Sequence, residues 1–311
     1  MSNKSTVSDF QLLEFSEVRE LQFLHFIAFL MVYLATVTGN LLIIFSIALD
    51  HHLHTPMYFL LMNLAMQDIG QISVIVPKSM INSLLNTRHI SHSGCVAQVF
   101  FFHSFAASDF CILTVMAYDR YVAICNPLHY EMVINRNVCR DMIVGVWIAG
   151  ILYAGMHTTG TFATHFCSNI VNQFFCDIPQ LIRLTCSDFN IIEMTTIGIG
   201  IVLGLGCFVY ILVTYMHIFT TVLKLPSTKG RQKAFSTCIP HIIVCSTFLF
   251  TACFIYLKPV SNTPSSLDLI FAVIYSLIPP MLNPVIYSIR NKEIKKGMAK
   301  VLGFRYFSMN T

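Results

Sequence analysis

Long apolar runs separated by short polar segments dominate this chain. Leu21–Leu49 contains no charged residue, and neither do Met142–Cys176, Met194–Leu223, Ala234–Leu257 and Leu269–Ile289. A hydrocarbon core about 30 Å thick requires about 20 residues of helix, and each run reaches that length. Two more reach it if acids are tolerated. Met57–Pro77 has Asp68 inside it, and Cys95–Ile124 has Asp109 inside it and Asp119–Arg120 near its end. The pattern predicts an all-α membrane protein, a seven-transmembrane helix bundle with spans at about 23–49, 57–80, 95–124, 141–163, 194–223, 234–257 and 268–289. Residues 1–22 form an expected extracellular N-terminus without the apolar core of a cleaved leader. Residues 290–311 form an expected cytoplasmic tail. In that tail Ile294, Met298 and Leu302 recur every four residues with lysines between them, the pattern of a short amphipathic helix lying on the membrane surface.

Composition supports this class. Of 311 residues, 55% are hydrophobic and only 11% charged, against about 25% in a soluble domain. The basic residues fix the expected orientation. Twelve lie between spans 3 and 4, between spans 5 and 6, or in the tail, and six lie on the other side. The tail is therefore placed in the cytoplasm and the N-terminus outside, so the net charge of +4 reflects membrane topology and implies no nucleic-acid partner. Asn3, in the triplet Asn3-Lys4-Ser5, is then an expected glycosylation site. Four of the eleven cysteines, Cys95, Cys167, Cys176 and Cys186, also fall outside, where disulfides persist; four cysteines allow three pairings. The segment Thr164–Glu193 is a long loop with three of these cysteines and the pair Phe174-Phe175, expected to fold down over the bundle.

Polar groups inside the spans are the candidate chemistry, because ionisable residues in lipid are costly. Asn40, Asp68, Asp109, Arg120 and Asn283 lie in or at the ends of spans. Asp119 beside Arg120 suggests a latch: the carboxylate holds a guanidinium whose donors turn to new partners when the helix ends separate. Pro279-Pro280 and Asn283-Pro284 break the seventh span. Each proline removes a backbone donor, and Asn283 is the expected replacement.

Several strings match one family. Asp119-Arg120-Tyr121 and Asn283-Pro284-Val285-Ile286-Tyr287, with Asn40, Asp68 and Trp147, resemble the marks of rhodopsin-like G-protein-coupled receptors. LHTPMYFLLMNLAMQD (Leu53–Asp68), MAYDRYVAIC (Met116–Cys125), KAFSTC (Lys233–Cys238), YLKPVS (Tyr256–Ser261) and PMLNPVIYSIRN (Pro280–Asn291) resemble the olfactory receptors, and the last of these resembles their tetrapod-type, class II branch. The resemblance implies disulfides Cys95–Cys176 and Cys167–Cys186. It also implies a sodium or proton site at Asp68, with Asp109 as second acid, and no other cofactor.

The resemblance further implies a small, mostly apolar, volatile odorant bound in the outer half of the bundle. Phe102, His103, Ala106, Ala107 and Phe110 share one face of span 3 at helical spacing. Ile199, Gly200 and Leu203 of span 5, Phe248, Ala252 and Tyr256 of span 6, and Val273 and Ser276 of span 7 are placed opposite, with His103, Ser276 and Tyr256 as polar handles. None of these positions is charged. Phe102 stands where aminergic receptors resemble one another in having Asp, and span 7 has no Lys for a retinal Schiff base. In the implied mechanism, Tyr215 and Tyr287 move toward Arg120 and the inner ends open. A Gα subunit of the stimulatory, olfactory type then enters and cyclic AMP rises. The implied setting is the plasma membrane of olfactory sensory neuron cilia, reached with trafficking helper proteins.

The sequence also departs from the family's usual pattern. Leu249 replaces the usual Tyr of span 6, Pro240 the usual Ser before His241, and Gln173 a His common before FFCD. One alternative is a non-olfactory rhodopsin-like receptor, favoured by a long acidic N-terminus or a basic pocket. Another is a transporter, favoured by inverted repeats. Neither set of features is present in the sequence. Enzyme activity is not expected, since no metal spacing, nucleophile–base pair or phosphate loop stands out.

Overall fold

The computed structural model describes residues 8–13, 16, 18–186, 191–224, 228–257 and 266–303. Seven long helices follow one another: α1 (Arg19–Leu49), α2 (Pro56–Leu85), α3 (His92–Cys125), α4 (Arg136–Phe162), α5 (Ile191–Leu223), α6 (Thr228–Leu257) and α7 (Ser266–Arg290). A short α8 (Lys292–Val301) closes the described chain. Six of the seven are long and apolar enough to cross a bilayer, and α6 carries a shorter apolar stretch, His241–Phe254. Every long helix begins before its expected span, because capping residues stand outside the apolar run. Ser91 accepts a hydrogen bond from the Gly94 N–H at the start of α3, and Asn135 accepts from the Asn137 and Val138 N–H groups at the start of α4. Pro56 opens α2 at a position where no backbone donor is needed.

The helices differ in how much of their surface is inside. In α2 and α3, 61% of the most apolar window is buried, against 11% in α5. The central pair therefore organises the bundle while α5 faces outward. Close approach needs small residues. A Cβ on Gly150 of α4 would sit 2.7 Å from the Ser104 carbonyl oxygen of α3, so any other residue would push α4 away.

The three prolines of α7 leave carbonyls without their normal partner, since Pro280 has no N–H for the Ser276 carbonyl and Pro284 none for the Pro280 carbonyl. Neighbouring helices supply the donors. Gln71 Nε2 of α2 donates to the Ser276 carbonyl at 3.1 Å, and Asn40 Nδ2 of α1 donates to the Pro280 carbonyl at 3.2 Å. The donor expected for this task, Asn283, does something else: its Nδ2 donates to both Asp68 carboxylate oxygens, at 3.1 and 3.2 Å.

A lid covers one end of the bundle. β1 (Asp9–Leu12) pairs antiparallel with β2 (His89–Ser91) and parallel with β3 (Ile170–Val171). The N-terminal segment is thus part of the lid, which its polar composition did not suggest. Phe10 is fully buried against Phe166. Cys95–Cys176 ties the lid to α3, and Cys167–Cys186 closes the lid on itself. Phe174 and Phe175 are buried below it.

At the opposite, tail end, α8 follows α7 directly. Its apolar face packs on the bundle: Ile294 is fully buried, and a Cβ on Gly297 would lie 3.0 Å from Ser46 of α1. Lys300 Nζ donates to Asp50 at 2.6 Å. That bond holds the Asp50 carboxyl below its ordinary range, despite partial desolvation.

Candidate functional site

The cavity below the lid measures about 230 Å³ and is walled by α3, α4, α5, α6 and α7. Phe102, His103, Ala106, Ala107 and Phe110 line it from α3, Gly200 and Leu203 from α5, and Phe248 and Ala252 from α6. All nine were expected there. Phe110 and Phe248 stack across it at 5.5 Å, and Phe102 meets Phe175 of the lid at 5.4 Å.

Three expected positions are not part of this wall. Ile199 is 40% exposed on the outer side of α5. Val273 packs in the cluster around Phe29 and Phe174. Ser276 is buried and its hydroxyl donates to the Ala272 carbonyl at 2.6 Å. The side chain of Tyr256 lies outside the described residues, as does Asn3.

The misplaced residues of α5 have a single cause. α5 is apolar on nearly every face, so its composition does not give its rotation about its axis. The inward stripe is Ile197, Gly200, Ile201, Gly204 and Cys207, and the glycine pair at four-residue spacing was the readable signal. Tyr153 and Ala149 bring α4 into the wall, Tyr275 represents α7, and Cys111, Leu249 and Cys253 complete it. A Cβ on Gly200 would collide with the Tyr153 hydroxyl, so this glycine lets the tyrosine reach the cavity.

The polar groups are few and mostly engaged. His103 Nδ1 donates to the Val99 carbonyl at 2.8 Å. Tyr275 donates its hydroxyl to Asp177 Oδ1 of the lid at 2.7 Å. Asp177 is buried, which pushes its carboxyl up to about 7 even though the Tyr275 hydrogen bond and Arg183 act in the other direction. Behind the α3–α4 wall, His157 Nδ1 and Glu193 Oε1 meet at 2.5 Å, both fully buried. This pair joins α4 to α5, and no sequence spacing announced it.

Toward the middle of the bundle, Asp68 is fully buried and Asp109 nearly so. They are near enough for their charges to repel, and Asp109 Oδ1 has no hydrogen-bond partner among the described residues. Two carboxylates so placed require a proton or a cation between them. Among the described residues no group of three or more His, Cys, Asp and Glu forms a metal site.

At the tail end, the expected Asp119–Arg120 ion pair is not formed among the described residues. Asp119 accepts a hydrogen bond from the Tyr130 hydroxyl at 2.7 Å, while the Arg120 guanidinium points to Met57 Sδ of α2. Adjacent helical positions diverge by about 100°, and each side chain finds a partner on its own face. Tyr121 rests near His217. Tyr215 is bonded to His241 Nδ1 of α6 at 2.5 Å. The Tyr287 hydroxyl is buried without a hydrogen-bond partner among the described residues. Pro284 packs on Gly39, whose added Cβ would come within 3.0 Å.

Comparison with known proteins bears on this whole arrangement. A family model described as olfactory receptor matches residues 29–304. The chain is 48% identical to human (Homo sapiens) olfactory receptor 14A16 over 303 residues, 97% of this chain and 98% of the relative. It is 47% identical to human olfactory receptor 14C36 over 311 residues, all of both chains. With human olfactory receptor 14I1 the identity is 48% over 308 residues, 99% of each.

Proposed function

Because this chain belongs to the olfactory receptor family, we propose that it is an odorant receptor. A small, mostly apolar, volatile molecule occupies the cavity under the lid. The observation that carries this reading is the cavity itself: about 230 Å³, closed over by a disulfide-tied lid, lined by aromatic and small apolar side chains with no charged group. Such a lining binds through apolar burial at about 25 cal/mol per Å², with a hydroxyl or imidazole setting orientation.

The output is a G protein of the stimulatory, olfactory type, met at the tail end, which faces the cytoplasm; the lid and the N-terminus face outward at the plasma membrane of olfactory cilia. Ligand shifts α5 and α6, which breaks the Tyr215–His241 bond and frees Tyr215 to move with Tyr287 toward Arg120. The ligand must favour the open state by differential affinity. Asp68 and Asp109 hold a sodium ion, or share a proton, in the closed state. The test uses the full chain with trafficking helpers, an odorant panel and a cyclic AMP readout. Agonists of the wild type should leave Arg120→Ala silent at normal surface display. A full response from that variant would refute the mechanism.

A further inference from the structure

A second groove lies at the tail end, away from the cavity. It holds about 430 Å³ between the end of α1, the start of α2 and the start of α4. Its floor is apolar, from Ile47, Ala48, Phe59 and Met62, and its rim carries Arg136 and Arg140. Both arginines are exposed. Arg140 is shared with Asp141 at 3.0 Å, while Arg136 makes no side-chain hydrogen bond or ion pair among the described residues. The nearby acid Asp50 is already engaged by Lys300.

The surroundings identify the occupant. The flanking helices present large apolar side chains outward, with Phe45 of α1 50% exposed and Val144 of α4 51% exposed, which places bilayer on both sides. The arginines stand in the first turns of α4, at the depth where its apolar run ends and headgroups begin. A cationic rim over an apolar floor, open to lipid, is complementary to an anionic amphiphile. We infer that this groove binds an anionic glycerophospholipid of the tail-side leaflet, its phosphate on Arg136 and Arg140 and one acyl chain along Ile47, Phe59 and Met62. The site is independent of the odorant reading, since it uses none of the cavity residues.

The test is lipid retention on the purified full chain by native mass spectrometry, with phosphatidylserine and phosphatidylcholine offered together. Wild type should retain phosphatidylserine preferentially. Each arginine near a membrane surface contributes about 1 kcal/mol, about fivefold, so R136Q/R140Q should lose about 25-fold of the preference and R136K/R140K should keep most of it. Ala48→Trp leaves both arginines and fills the floor; it should lose the lipid. Equal retention of the two lipids by wild type overturns the inference. So does unchanged retention by R136Q/R140Q or by Ala48→Trp. Soluble glycerophosphoserine competing at the same concentration as the lipid would also overturn it, by showing a phosphate site that does not use the groove.

Discussion

The two halves of the bundle are both lined mainly by apolar side chains and built to opposite ends. At the lid end small residues stand among the aromatic ones on the inward faces: Ala106, Ala107, Ala149, Gly200 and Gly204 leave an open cavity. At the tail end they are large. Leu53, Leu60, Leu64, Ile112 and Tyr215 are almost wholly buried and belong to one continuous cluster that extends to Ile294 of α8. Room and rigidity are thus assigned by side-chain size on the inward faces, while apolar character is common to both. Between the halves lies a polar layer of Asn40, Asp68, Gln71, Asp109 and Asn283, all buried, which ties the proline-broken α7 to α1 and α2.

Filling the loose half should have the largest effect. Ala106→Trp would displace about 100 Å² of ligand contact, roughly 2.5 kcal/mol at about 25 cal/mol per Å², or ~70-fold in affinity. Agonist potency in the cyclic AMP assay should fall by that order while surface display persists. Unchanged potency would move the odorant site elsewhere.

The polar layer should respond in stability. Gln71→Leu leaves the Ser276 carbonyl buried without its donor, a loss of about 1–3 kcal/mol. Thermal unfolding of purified protein should report it, and a variant as stable as wild type would mean that α7 finds another donor. In the packed half, Tyr215→Phe removes one hydrogen bond to His241, worth about 0.5–1.5 kcal/mol. In the proposed mechanism that bond belongs to the closed state, so basal cyclic AMP should rise. A lower basal level would place the bond in the open state instead.

The last expected effect concerns the lid and pH. Burial raises the Asp177 carboxyl from 3.8 to about 7. An acid whose folded value is raised stays protonated in the folded protein after the unfolded chain has released its proton. Its contribution is therefore fully present below about pH 4 and declines as pH rises through about 7. Asp177→Asn should flatten this decline between about pH 4 and about 7 in thermal unfolding, and an unchanged slope would assign the dependence to another group.

Much of this was legible from the chain. Seven apolar runs, the side that carries the disulfides and the inward face of α3 followed from spacing, because α3 alternates small, aromatic and polar residues along a single face. The face of α5 was not legible, because lipid accepts any apolar side chain and the sequence shows no polar stripe to mark its back. Ile199 was therefore placed inward when Ile197 and Ile201 are the wall. The His157–Glu193 pair was equally hidden, since the two residues are far apart in sequence and meet only when α4 packs on α5.

By itself, the sequence determined how many times this protein crosses the bilayer, where its prolines interrupt α7 and which polar side chains are carried into lipid, because each is a property of length or residue type. Tertiary structure decided which donor serves which orphaned carbonyl, which partner Arg120 and Asp119 each take, and which faces of α4 and α5 enclose the cavity. Those outcomes depend on rotation and approach between helices, which a uniformly apolar surface leaves open until packing closes it.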